Sequence, residues 1–189
     1  MQSALNVYFQ IGFEHILDWD ALDHLLFLLV LGAGFGLRRW KPILLLATAF
    51  TLGHSVTLFL SIFEYLNFSQ PLVETLIPVT ILLAALGRFF QPKLVPAAYG
   101  LTALYGLIHG MGYSGTLRAS LPPQFRENLW EMLLGFNLGV EAGQLIVLLI
   151  LLLLNELALR IFKVPEQYWI RGLSLLAGIW SILLIWQRI

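Results

Sequence analysis

The sequence predicts an all-α, polytopic integral membrane protein: a six-transmembrane-helix bundle with short loops, forming one membrane domain over residues 1–189. Three observations lead there. Hydrophobic residues make up 59% of the chain and charged residues 12%, about half the charged fraction of a soluble domain, and the mean hydropathy is +0.82. Apolar runs recur, each long enough for a helix to cross a hydrocarbon core of about 30 Å. The stretches between them are short and rich in the Pro and basic residues of membrane turns. With so little polar surface, the bilayer is the expected outer solvent.

In chain order, residues 1–19 form a lead-in, including ALNVYFQIGFEHILDW, that lies at the exterior interface or extends the first helix outward. The first span is set at 20–37 and the turn RRWKP follows it. The second, 42–63, ends before FSQP, and the third, 72–90, contains Pro78, a position where a helix can kink. FQPKLVP separates it from the fourth, 96–117, in which Gly106, Gly110, Gly112 and Gly115 are spaced for close helix contact. LPPQF precedes the fifth, 129–154, and NELALRIFKVPEQYW leads to the sixth, 168–187, whose Trp180 and Trp186 suit an anchor or assembly surface.

Eight of the eleven basic residues, Arg38, Arg39, Lys41, Arg88, Lys93, Arg160, Lys163 and Arg171, fall in or beside the first, third and fifth connections. The positive-inside rule then places both termini outside the cytoplasm, periplasmic for a multi-pass protein of a bacterial inner membrane. The first basic residue is Arg38, so the start does not read as a cleavable signal peptide. There is no cysteine, which removes disulfides, thiolate metal sites and thiol catalysis. A neutral formal charge without a basic, aromatic-interleaved cluster gives no footprint for nucleic acid. No phosphate-binding loop is present, so no nucleotide is expected.

All four histidines fall in or at the rim of apolar segments. Asp20 and His24 share a helix face four residues apart, and Asp23 lies on a neighbouring one. His15 stands nine residues before His24, so a single metal can meet both only if the backbone turns or breaks near Trp19. Asp18 and Asp20 equally suit a helix start. His54 has Ser55 beside it and Thr57 and Ser61 along the helix, and His109 lies between Tyr105 and Tyr113. Asn137, Glu141 and Gln144 form a polar stripe on the fifth segment, where a carboxylate is costly unless paired, protonated or bound to a cation. Imidazoles and carboxylates without thiols suit borderline divalent ions such as nickel, cobalt or zinc.

Four motifs in order, HILDWDALDHLLFLL, AFTLGHSVTLFLS, YGLIHGMGYSG and GFNLGVEAGQL, resemble those of the HupE/UreJ family, over about residues 12–150. The resemblance implies a nickel or cobalt permease of about six helices, associated with metal supply to hydrogenase or urease maturation. It places metal capture on His15, Asp23 and His24, and it matches His54, His109 and Glu141 to later motifs, with Asp20, Asn137 and Gln144 as supporting polar lining. Seven residues separate His15 from Asp23, a longer interval than in the better-characterised permeases.

The leading expectation is therefore uptake of a divalent transition metal, nickel or cobalt favoured and zinc open, by a permease rather than an enzyme. Two alternatives stand beside it. One is a membrane-embedded metal-dependent hydrolase with Glu141 as base; the other is a non-transporting assembly partner that buries a polar core. A homo-oligomer is compatible with each.

Overall fold

The structure is a computed structural model that describes residues 4–18, 22–63, 65–66, 68–93, 95–119 and 129–189. Among these residues there are seven α-helices and no strand: α1 (Ala4–Leu17), α2 (Leu22–Gly32), α3 (Trp40–Ile62), α4 (Gln70–Phe90), α5 (Ala97–Ala119), α6 (Leu129–Glu156) and α7 (Glu166–Arg188). Four stretches are long and apolar enough to cross a membrane: Leu37–Ile62, Gln70–Phe90, Leu129–Ile161 and Glu166–Arg188. A 3-10 turn over Leu37–Arg39 leads into α3, and a π-turn over Leu157–Ile161 extends α6. Lys163, in the left-handed region at φ 52°, then turns the chain towards α7.

The expected count of six helices is corrected to seven, because the lead-in over residues 1–19 carries a helix of its own, while the first expected span, 20–37, holds only the short α2. Helix α1 ends at Leu17 and α2 begins at Leu22. At 1.5 Å per residue they reach about 21 Å and about 16 Å, each short of a hydrocarbon core. They lie one after the other beside α6. Leu5 and Tyr8 approach Gly135, Phe9 and Phe13 approach Gly139, and Ile16 approaches Gly143, so α1 runs parallel to the first half of α6. Helix α2 ends further along the same helix, with Gly32 against Leu151. Gly139 is required at this crossing: a Cβ there would run into the backbone of Phe9 and Phe13.

The most extensive packing joins α3 with α5, α1 with α6, and α4 with α7. Helices α3 and α5 are parallel and in backbone contact, with Gly53 facing Ala103 and Leu107, and Gly106 facing Phe50 and His54. Helix α4 continues through Pro78 to Phe90 and runs antiparallel to α7, since Arg171 reaches the Phe89 carbonyl (3.3 Å) and Arg188 the Glu74 carbonyl (2.7 Å). Helix α2 packs against α4, α7 and α6. Its C-terminal carbonyls need partners, and the buried Asn155 of α6 supplies them by donating to Gly32 O (2.7 Å) and Phe35 O (2.8 Å). Trp169 Nε1 donates to Asn155 Oδ1 (2.7 Å) in turn, so one amide joins α2, α6 and α7.

Candidate metal centre

The interruption between α1 and α2 decides the geometry of the polar interior. In a continuous helix nine residues separate two side chains by about 13.5 Å along the axis. The rings of His15, in the last turn of α1, and His24, in the first turn of α2, instead lie 4.5 Å apart between centroids. His54 of α3 completes a triangle, 6.2 Å from each. One ring nitrogen from each of His15, His24 and His54 lies within 4.8 Å of the other two. His109 of α5 adjoins the group, 5.4 Å from His24 between ring centroids.

These rings are withdrawn from solvent: His24, His54 and His109 are buried and His15 is half-buried. Six of their nitrogens, His15 Nε2, both of His24, both of His54 and His109 Nδ1, are buried with no hydrogen-bond partner among the described residues. A buried polar atom left without a partner costs about 1–3 kcal/mol, and these nitrogens are grouped closely enough to share one ligand. A neutral imidazole carries one N–H and one lone pair. The Thr80 hydroxyl gives its proton to Ile77 O (2.7 Å), so its oxygen accepts from His109 Nε2–H at 3.1 Å. His109 therefore presents a lone pair at Nδ1, oriented from behind as a metal-binding histidine is.

Aromatic walls fix the rings. Phe50 contacts His24, His54 and His109, with centroids 6.1, 6.1 and 5.1 Å away. Phe136 stacks on His54 (6.1 Å), and Tyr113 lies 3.9 Å from His15. The two tyrosines flanking His109 in sequence thus serve other rings: Tyr113 meets His15, while Tyr105 lies edge-on to Phe27 (5.9 Å).

The other predicted residues are placed differently. Asp23 is buried beside the cluster, and its Oδ2 accepts from Arg188 Nη2 (3.1 Å) while Oδ1 has no partner among the described residues. Asp20 lies outside the described residues. Glu141, Asn137 and Gln144 stand on the seam between α6 and α3. There Thr48 donates to Glu141 (3.4 Å), Ser55 to Asn137 (2.6 Å) and Thr51 to Gln144 (2.9 Å). None of Asp23, His109 and Glu141 contributes to the close trio.

Arg188 and Thr80 escape detection in the sequence. The terminal helix carries no polar stripe to announce Arg188, and a hydroxyl in a membrane helix ordinarily bonds to its own backbone. The HupE / UreJ protein family model matches residues 1–188. The chain belongs to the HupE/UreJ family. No curated protein and no solved structure matches it. This HupE/UreJ chain combines apolar helices of membrane-crossing length with a buried imidazole cluster that offers nitrogen ligands and no thiolate. Such donors fit nickel, cobalt or zinc.

Proposed function

We propose that this HupE/UreJ chain is a permease for a divalent transition metal, nickel or cobalt favoured, in a bacterial inner membrane. The observation that carries the proposal is the trio of His15, His24 and His54: one ring nitrogen of each lies within 4.8 Å of the other two, and His15 Nε2 and both nitrogens of His24 and His54 have no hydrogen-bond partner among the described residues. A hydrated ion meets Asp23 first, loses part of its water there, and passes to the three imidazoles, with His109 beside them. Both Phe27 and Phe50 lie one turn from the cluster, towards the ends of their helices that meet at the basic connection around Arg38 and Arg39. Their rings are 4.9 Å apart and both are buried, so they close that side.

The basic end is taken as cytoplasmic and the Asp23–Arg188 end as periplasmic, which puts both termini outside. A +2 ion moving inward through about 100 mV gains roughly 4.6 kcal/mol, a sufficient drive without nucleotide. The polar stripe Asn137, Glu141 and Gln144 lines the α3–α6 seam as a second polar feature. The hydrolase alternative is less well supported, because its base, Glu141, stands on that seam beside Thr48.

Reconstituted protein should accumulate nickel or cobalt in liposomes under a negative-inside potential. His24→Ala should abolish most of that uptake while helical content is kept. Uptake no faster than in empty liposomes, for nickel, cobalt and zinc alike, sinks the permease proposal.

A further inference from the structure

The basic end of the bundle holds a cavity apart from the imidazole cluster. A cavity of about 900 Å³ opens there between the start of α3, the end of α4 and the start of α7. Arg39, Arg88, Lys93 and Arg171 line it against a single carboxylate, Glu166. Glu166 is already paired with Arg39 (2.8 Å). Arg88 is held in place by bonds to Ala33 O (2.6 Å) and Pro92 O, and its buried Nε has no partner among the described residues. The concavity therefore keeps an excess of positive charge, with Arg88 held firmly in its wall.

Charge at this end follows from topology alone, so charge by itself does not define a ligand. The second observation does. An apolar groove of about 180 Å³ adjoins that cavity, with Arg88, Gln91 and Lys93 lining both. Val30, Leu46, Leu83, Leu101 and Tyr105 are among its walls. Gly87 also lines it, and a Cβ added there would meet nothing within 4 Å. A cationic chamber beside a hydrocarbon groove, the two sharing Arg88, Gln91 and Lys93, matches one chemistry, an anionic head joined to an aliphatic tail.

We propose that this end binds an anionic phospholipid, with its phosphate among Arg88, Lys93 and Arg171 and an acyl chain in the groove beside Gly87. Basic pockets at the cytoplasmic ends of membrane helices recognise such head groups. A free phosphate would use the chamber and leave the groove without a role.

The test is native mass spectrometry of the full chain released from nanodiscs containing phosphatidylglycerol and phosphatidylcholine of identical acyl chains. Wild type should retain phosphatidylglycerol with about tenfold or greater preference. The double variant Lys93→Gln/Arg171→Gln should lose most of that preference, and Gly87→Leu, which fills the groove, should weaken retention of the lipid. Millimolar inorganic phosphate should not displace it. Circular dichroism and melting temperature of each variant establish that it is folded, and the readout is independent of metal. Equal retention of the two lipids, or a preference untouched by either variant, overturns the proposal. Displacement by phosphate together with an unaffected Gly87→Leu also overturns it, in favour of a free-anion site.

Discussion

At the scale of single residues, the unpartnered ring nitrogens separate a metal site from a structural histidine cluster. A histidine kept for packing would be missed when removed, whereas one kept for a cation is a burden in the metal-free protein. His54→Leu should therefore leave metal-free stability unchanged or raise it, while abolishing the rise in melting temperature produced by nickel. In wild type that rise corresponds to about 2.7 kcal/mol when metal is at 100 times Kd. A thermal-shift series with and without nickel decides the matter, and a loss above about 2 kcal/mol in the metal-free variant would assign His54 a structural role. Binding needs free imidazole lone pairs, so protons compete: nickel affinity should fall as pH is lowered. Arg188 acts in the opposite sense, since it occupies the carboxylate an incoming cation would meet. Arg188→Gln should tighten nickel binding severalfold by calorimetry, while costing about 1–3 kcal/mol of metal-free stability through the lost charged hydrogen bond. Weaker binding would mean that Arg188 organises Asp23 for metal.

At the scale of elements, the helices were legible where long apolar runs end in Pro or basic residues, and less so at the lead-in, expected at the interface or as an extension of the first helix and found as a separate helix. The expected spans at 42–63, 72–90, 96–117, 129–154 and 168–187 each correspond to a helix with ends shifted by a few residues. Between Phe13 and Leu31 there is neither Pro nor Gly to mark an interruption. The contact between His15 and His24 depends on that interruption, which the sequence set as the condition for their meeting near Trp19, whereas the approach of His54 from another helix had no local signal. The stripe of Glu141 was visible too, yet periodicity gives the face of a helix and leaves open which neighbour it meets. Asn155 was passed over as a loop residue, although it is buried and joins three helices. Asn155→Leu leaves the carbonyls of Gly32 and Phe35 and the Trp169 indole without their partner. It should lower stability by about 2–4 kcal/mol in chemical denaturation, while Asn155→Asp should restore only the Trp169 bond. Gly139→Leu should separate α1 from α6, and loss of nickel binding with α2–α7 still folded would follow from removing His15 alone.

At the scale of the whole molecule, the clustered basic residues and the imidazole cluster are placed at different ends of the bundle. The Asp23–Arg188 pair lies by the imidazoles, while Arg39, Arg88 and Arg171 gather where α3 and α7 begin and α4 ends. That polarity predicts a topology that the absence of native cysteine makes simple to read. In intact cells a membrane-impermeant thiol reagent should label Ser69→Cys and spare Lys41→Cys; labelling of Lys41→Cys alone would invert the proposed orientation.

The three helix pairs have one further consequence. His15 belongs to the α1–α6 pair and His54 and His109 to the α3–α5 pair. His24 sits on α2, which packs against the α4–α7 pair. The histidine cluster is thus a junction of three bodies that each lend it a ring, and no body alone holds all of its histidines. A tilt of any one against the others withdraws a donor before it disturbs a helix. In the proposed centre, the grip on an ion would therefore be the most sensitive gauge of how the three bodies stand.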